Sequence, residues 1–228
     1  LGDVYKRQGL GGSAVAGDLM RDILAPLDKI TIHRGTLPPR NRCGVVVSSY
    51  SGETREVIEL SHRVTGGLKS TVFLTSGGEL GRLAREWNLP LWKMPPGYEP
   101  RAAVGWSLGL LASLMERWRV INRVTGRLVQ ACQKLRGSLA QGEPWEHPLV
   151  RAALPLASEM RDKNCIILHT TRCSGVARRL ASQINENGKQ PAFFIQMPEG
   201  LHNAIEGFTG ADPRAWALLF LSHPDDSG

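Results

Sequence analysis

Two stretches of this chain have the residue types and spacing of an anion cradle. Ser48-Ser49-Tyr50-Ser51-Gly52-Glu53-Thr54 follows the β-branched run Val45-Val46-Val47 and precedes a helical stretch, so hydroxyls and backbone N–H groups gather at a strand-to-helix junction. Such a junction binds a phosphate without a neighbouring cation, because the first helical amides are unpaired and the helix dipole favours negative charge. Helix capping alone is the competing explanation, since Ser and Thr are ordinary N-cap residues. A second turn, Gly9-Leu10-Gly11-Gly12-Ser13, enters another helix. Two such turns at the carboxyl ends of adjacent parallel strands converge on one ligand where the strand order reverses. Gly9, Gly11 and Ala14 also fit a loose G-x-G-x-x-A, but the following strand ends near His33 and Arg34 without the acidic residue a ribose needs. A dinucleotide is therefore not the expected ligand.

Three further side chains have chemistry to offer. Glu186 falls near a predicted helix C-terminus, where negative charge is disfavoured; a carboxylate placed there calls for a reason beyond propensity, although a solvated surface role is the plain alternative. His202 follows Pro198-Glu199-Gly200-Leu201, read as a loop, and an imidazole can give and accept a proton near neutral pH. Arg101 precedes the apolar helix beginning at Ala102, where a cation is electrostatically poor; its fixed positive fork could stabilise a developing oxyanion. Glu206 could orient His202 or serve structure alone. The six histidines lack an H-x-x-x-H pair, and Cys43, Cys132, Cys165 and Cys173 lack C-x-x-C spacing. No metal and no cofactor is expected, and the cysteines are read as reduced, buried thiols.

The elements that must position these residues alternate. Strands are expected at residues 29–33, 43–49, 70–75, 89–94, 164–169, 192–196 and 216–221; helices at 13–25, 54–64, 79–87, 102–118, 149–160 and 174–186. Strand and helix in alternation define a parallel α/β sheet. Gly137 to Pro148 reads as a linker, so two similar α/β units are expected, residues 9–136 and 149–228. The 102–118 helix, apolar on most faces, is expected to pack between layers or subunits. The composition agrees: 228 residues, 42% hydrophobic, with 25 glycines, fit a globular α/β protein of one large or two compact domains. Although the net charge is +7, Lys and Arg form no run of five or six, so an anionic small substrate is favoured over nucleic acid. No apolar run approaches the ~20 residues of a membrane span, and a cytoplasmic location is expected.

The two ends are read differently. Gly2-Asp3-Val4-Tyr5-Lys6-Arg7-Gln8 is too polar for the buried strand that should feed the first glycine turn, and it resembles the in-frame translation of a transposon-end adaptor. Residues 1–8 are accordingly expected to be a non-native segment replacing the first strand. The apolar strand ending at Leu221 should continue into a covering helix, so the chain is expected to stop within its second unit, and these 228 residues alone to be unstable and inactive.

Together the motifs Gly9-Leu10-Gly11-Gly12-Ser13, Ser49-Tyr50-Ser51-Gly52-Glu53-Thr54, Pro100-Arg101-Ala102-Ala103, Gln183-Ile184-Asn185-Glu186-Asn187 and Leu201-His202-Asn203-Ala204-Ile205-Glu206-Gly207-Phe208 resemble those of the sugar-isomerase (SIS) fold and, within it, the bifunctional phosphoglucose/phosphomannose isomerases. The first two recur across SIS proteins; the last three in this order mark the isomerases. The resemblance implies two flavodoxin-like SIS subdomains, parallel sheets covered by helices and incomplete at both ends. It implies that Ser49, Ser51 and Thr54, helped by Gly12 and Ser13, bind the sugar phosphate. Arg101 would sit beside the reacting carbons, Glu186 would be the base, and His202 would open the sugar ring. It further implies a metal-independent reaction interconverting glucose 6-phosphate, and mannose 6-phosphate, with fructose 6-phosphate through a cis-enediol. The implied assembly is a homodimer with His202 donated across the interface; no nucleic-acid or membrane partner is expected from the charge pattern and apolar runs above. The family's C-terminal threonine and lysine find no counterpart, since no Lys follows Lys189. A non-catalytic SIS module sensing a sugar phosphate, or an isomerase of another phosphosugar, are the alternatives.

Overall fold

The computed structural model describes residues 5–9, 12–25, 30–34, 44–64, 71–139 and 142–226. Leu10 and Gly11 of the first glycine turn, Lys29, Cys43 and Ser70 lie outside them. The chain divides into two compact units, Leu1–Val120 and Ile121–Gly228.

The first unit is a five-stranded parallel sheet in the order β2-β1-β3-β4-β5, made of β1 (Tyr5–Gly9), β2 (Ile30–His33), β3 (Val45–Ser48), β4 (Thr71–Thr75) and β5 (Leu91–Lys93). The order reverses between β1 and β3. Every residue of β3 and β4 is buried, as expected of a central parallel strand flanked on both faces by helices. On one face Val45, Val47 and Phe73 pack with Val57 and Leu60 of α2 (Arg55–Val64) and with Leu80 and Ala84 of α3 (Gly78–Glu86). Burying each such large apolar side chain contributes about 1.5–3 kcal/mol. α1 (Gly12–Leu24) packs with α4 (Val104–Arg117), whose Ser107, Leu111, Ala112, Leu114 and Met115 are buried. Asp18 of α1, fully buried, pairs with Arg34 beyond β2 and with Arg21 at 3.5 Å, which provides the compensation a buried carboxylate requires.

One expectation fails here. The polar stretch judged unfit for a strand forms β1, paired in parallel with β2 (Tyr5 to Ile30) and β3 (Lys6 to Val45). Ladder hydrogen bonds come from the backbone, so a slot flanked by two strands accepts a sequence whose side chains argue against it.

The second unit opens with α5 (Val124–Leu139), a helix not anticipated, which includes residues 137–139 of the expected linker. The contacts accordingly divide at Val120, upstream of that linker. α6 (Pro148–Met160) follows; its N-cap, His147, is buried and accepts the Leu149 N–H through Nδ1 at 3.1 Å. Three parallel strands in the order β7-β6-β8 come next: β6 (Asn164–His169), β7 (Ala192–Gln196) and β8 (Trp216–Leu221). This repeats the β2-β1-β3 order of the first unit. α7 (Ser174–Gln183) covers one face, where Cys165, Ile167 and Ala192 meet Ala177 and Ala181. α8 (Glu199–Phe208) belongs to the other face. A Cβ on Gly200 would meet Ile195 Cγ2 at 2.0 Å, Phe208 lies edge-on to Trp216 at 5.4 Å, and both Ile195 and Trp216 point away from the α7 side in the strand alternation. The cysteines are not uniformly buried: Cys165 is, Cys173 is half-buried, and Cys132 is exposed because α5 turns that face to solvent.

Among the described residues no helix is long and apolar enough to cross a membrane.

Candidate functional site

Gly9 and Ser48, the last residues of β1 and β3, are paired across the point where the first sheet's order reverses. The two candidate cradles therefore leave the sheet side by side: Gly12 and Ser13 open α1, and Ser49 to Thr54 leads into α2. Within the second cradle Ser49 Oγ and Thr54 Oγ1 are 2.8 Å apart, and Ser49 Oγ also accepts the Gly52 N–H at 3.1 Å. Ser51, exposed, accepts the Glu53 N–H at 3.2 Å through its Oγ. Thr54 O accepts the N–H groups of Val57 and Ile58, so Thr54 caps α2 with its carbonyl while its hydroxyl turns toward Ser49. A hydroxyl cluster at a helix N-terminus can hold three phosphate oxygens.

The sequence assigns no role to the residues between these hydroxyls. In the structure each has a partner. Gly52 sits at φ +75°, and a Cβ there would stand 2.0 Å from Gly77 O. Glu53 Oε1 accepts the Glu79 N–H at 2.9 Å, which closes the start of α3. Tyr50 O accepts from Ser76 N (2.9 Å) and Ser76 Oγ (2.7 Å). Thr75-Ser76-Gly77-Gly78 thus forms a second shelf under the cradle; its signal was the same pattern of strand, small polar residues, glycines and helix.

Arg101 lies in a turn closed by the N–H groups of Ala102 and Ala103 on Glu99 O, three residues before α4, which begins at Val104 and not at Ala102. Its Nη1 is 3.8 Å from Glu99 Oε2. Tyr50 spans from the cradle to this segment: its hydroxyl donates to Pro95 O at 2.9 Å and accepts the Tyr98 N–H at 2.8 Å.

In the second unit Glu186 sits in a π-helical turn, Ile184–Gly188, that continues α7. Wide turns of this type are rare and recur at functional sites. Asn185 fixes the turn to β7: its Oδ1 accepts the Ala192 N–H at 3.0 Å and its Nδ2 donates to Ala192 O at 2.8 Å. Glu186 is therefore presented, exposed, at the end of the sheet where β7 begins. Burial pushes the Arg179 guanidinium below its ordinary value, and the Glu186 charge pushes it back up. His202 is exposed on α8 and not in a loop. Glu199 in the first turn favours the helix dipole there, and Gly200 permits the close approach to Ile195. Glu206, one turn on, shares the His202 face of α8.

The reversal point of the second sheet, between β6 and β8, is occupied differently. Thr170 Oγ1 donates to Asp226 Oδ2 at 2.5 Å, and Arg172 pairs with Asp225 at 2.9 Å. These acids lie where the first unit has hydroxyls and amides. Among the described residues no three His, Cys, Asp or Glu side chains are grouped to hold a metal ion.

The fold is that of the SIS phosphosugar isomerases. The chain superposes on tagatose-6-phosphate ketose/aldose isomerase from Escherichia coli with a TM-score of 0.66 at 17% identity, covering 97% of this chain and 63% of that one. Residues 150–228 match the bacterial phospho-glucose isomerase C-terminal SIS domain. The chain is 30% identical over 207 residues to the bifunctional phosphoglucose/phosphomannose isomerase of Caldicellulosiruptor bescii, covering 87% of this chain and 60% of that protein. It is 28% identical over 199 residues to the D-glucosamine-6-phosphate 4-epimerase of Sulfolobus acidocaldarius, covering 87% of this chain and 61% of that protein. The resemblance to the bifunctional isomerases read from the motifs thus extends over most of the chain, which spans about three fifths of the length of these relatives.

Proposed function

We propose that the protein of which this chain is part is a metal-independent aldose-ketose isomerase, interconverting glucose 6-phosphate and mannose 6-phosphate with fructose 6-phosphate in the cytoplasm. The observation that carries the reading is the Ser49–Thr54 hydroxyl pair at the β1/β3 reversal point, with Arg101 on a segment tied to the same loop by Tyr50. Ser49, Ser51 and Thr54, with Gly12 and Ser13, take the phosphate.

The chemistry then assigns the remaining roles. His202 protonates the ring oxygen as the bond from C1 to that oxygen breaks, and the anomeric hydroxyl gives up its proton to water, from which the imidazole is reprotonated, leaving an open-chain aldehyde. Glu186, as carboxylate, removes the C2 proton; the electron pair moves into a cis-enediolate whose oxygen is stabilised by the Arg101 fork. Transfer of the hydroxyl proton from O2 to O1 and return of the carbon-bound proton from Glu186 to C1 yield the ketose. The guanidinium supplies the positive charge that a metal supplies elsewhere, so none is required. Mannose 6-phosphate differs from glucose 6-phosphate at C2 alone, and both give the same enediolate.

Glu186 and His202 stand on helices of opposite sheet faces, which favours a homodimer in which His202 serves the partner's sugar. A second reading, chemistry at C4 of an amino-sugar phosphate, is favoured by the similarity to the 4-epimerase. The full-length polypeptide, treated with chelator, should be assayed against glucose, mannose and glucosamine 6-phosphates. Turnover of both hexoses supports the proposal. Turnover of glucosamine 6-phosphate alone, or loss of activity on chelation, contradicts it; binding without turnover would indicate a sensing module.

A further inference from the structure

We propose that Tyr50 is a positioning residue that sets Arg101 against the phosphate loop. This rests on the roles given above to the loop and to Arg101.

Tyr50 stands between Ser49 and Ser51, yet its own side chain leaves the loop. The ring is buried, 7% exposed, and its hydroxyl is matched on both sides, donating to Pro95 O at 2.9 Å and accepting from Tyr98 N at 2.8 Å. Its carbonyl accepts from Ser76 N, Ser76 Oγ and Thr75 Oγ1, the last at 3.3 Å. One residue therefore joins the loops after β3, β4 and β5 at their common edge of the sheet. Tyr98 is three residues from Arg101, and the intervening turn is closed on Glu99 O, so a shift of Tyr98 is passed to Arg101. A Phe would fill the same volume; the buried hydroxyl adds two directional bonds that fix the segment at an ångström scale on which catalytic groups are sensitive.

The test is Tyr50→Phe in the full-length polypeptide, combined with Arg101→Ala. Tyr50→Phe should lower kcat by about tenfold or more while inorganic phosphate inhibits within about twofold of wild type. A phosphorylated hydroxamate that mimics the enediolate should lose affinity by the same factor as kcat/KM. In the double variant the Tyr50→Phe loss should disappear, because Tyr50 acts through Arg101. Losses that multiply in the double variant, or phosphate affinity falling as far as kcat, would overturn the proposal as mere loop packing. Full activity in Arg101→Ala would overturn instead the role of Arg101 on which it rests. In the wild-type protein the Tyr98 amide should exchange slowly and slower still with the hydroxamate but not with phosphate; exchange at the rate of an open loop would overturn the proposal without any variant.

Discussion

Glu186 and His202 are carried by helices on opposite faces of the same three-stranded sheet: Glu186 by the turn continuing α7, His202 by α8, whose Gly200 and Phe208 meet the other face. The proposed dimer brings this base and this ring opener to one sugar by taking the imidazole from a second copy. Mixing inactive Glu186→Gln and His202→Ala proteins should then restore activity, up to about a quarter of wild type, because half the dimers are mixed and each has one intact site. A mixture as inactive as its components would show that both groups act within one chain.

The Ser49 hydroxyl sits 2.8 Å from that of Thr54 and accepts the Gly52 N–H. On the proposed phosphate role, Ser49→Ala should remove a hydrogen bond to a charged ligand, a loss of about 1.5–3 kcal/mol. KM for the sugar phosphate and the inhibition constant of inorganic phosphate should rise together by about ten- to a hundredfold. Arg101→Ala, by contrast, should act mainly on kcat.

Gly52 and Gly97 separate two costs. Both have positive φ, +75° and +92°, but a Cβ at Gly52 meets the Gly77 carbonyl oxygen at 2.0 Å whereas at Gly97 it meets nothing within 4 Å. Gly97→Ala should destabilise by about 1 kcal/mol from backbone strain and Gly52→Ala by clearly more, about 2 kcal/mol or above. Denaturant midpoints measure the difference.

Asp226 responds to acid. The hydrogen bond from Thr170, aided by the His223 N–H and the charge of Arg172, holds its carboxyl below the ordinary carboxylate value. A depressed folded-state pKa contributes stability above the unfolded value, about pH 4, and loses it as pH falls through the folded value. Asp226→Asn should therefore melt below wild type at pH 7, and the gap should close on acidification below pH ~4. A gap that widens in acid would reverse the assignment.

Much of the second unit was legible because its strands are continuous apolar runs: β6, β7 and β8 begin and end where the sequence places them. The pairing of the two cradles across the reversal point was legible too, since it follows from strand order. What escaped was set by partners distant in sequence. β1 is held by its neighbours despite Lys6, Arg7 and Gln8. α5 has Val124, Leu128, Cys132, Leu135 and Leu139 at helical spacing, but Gly126 and Gly137 interrupt the stretch and only Val124 is buried. Pro198 and Gly200 read as loop until Ile195 gives Gly200 a reason to be small. Tyr50 has no role legible in its own stretch, because its hydroxyl finds its partners 45 and 48 residues away.

The assignment of Glu186 as the base is tested most directly by proton exchange at C2. Incubated with glucose 6-phosphate deuterated at C2, the full-length wild-type protein should release the label to solvent or transfer it to C1. Glu186→Gln should slow this by about 10²–10⁴, the usual contribution of a general base. Label retained at C2 by the wild type, or lost equally fast by the Glu186→Gln variant, would contradict it.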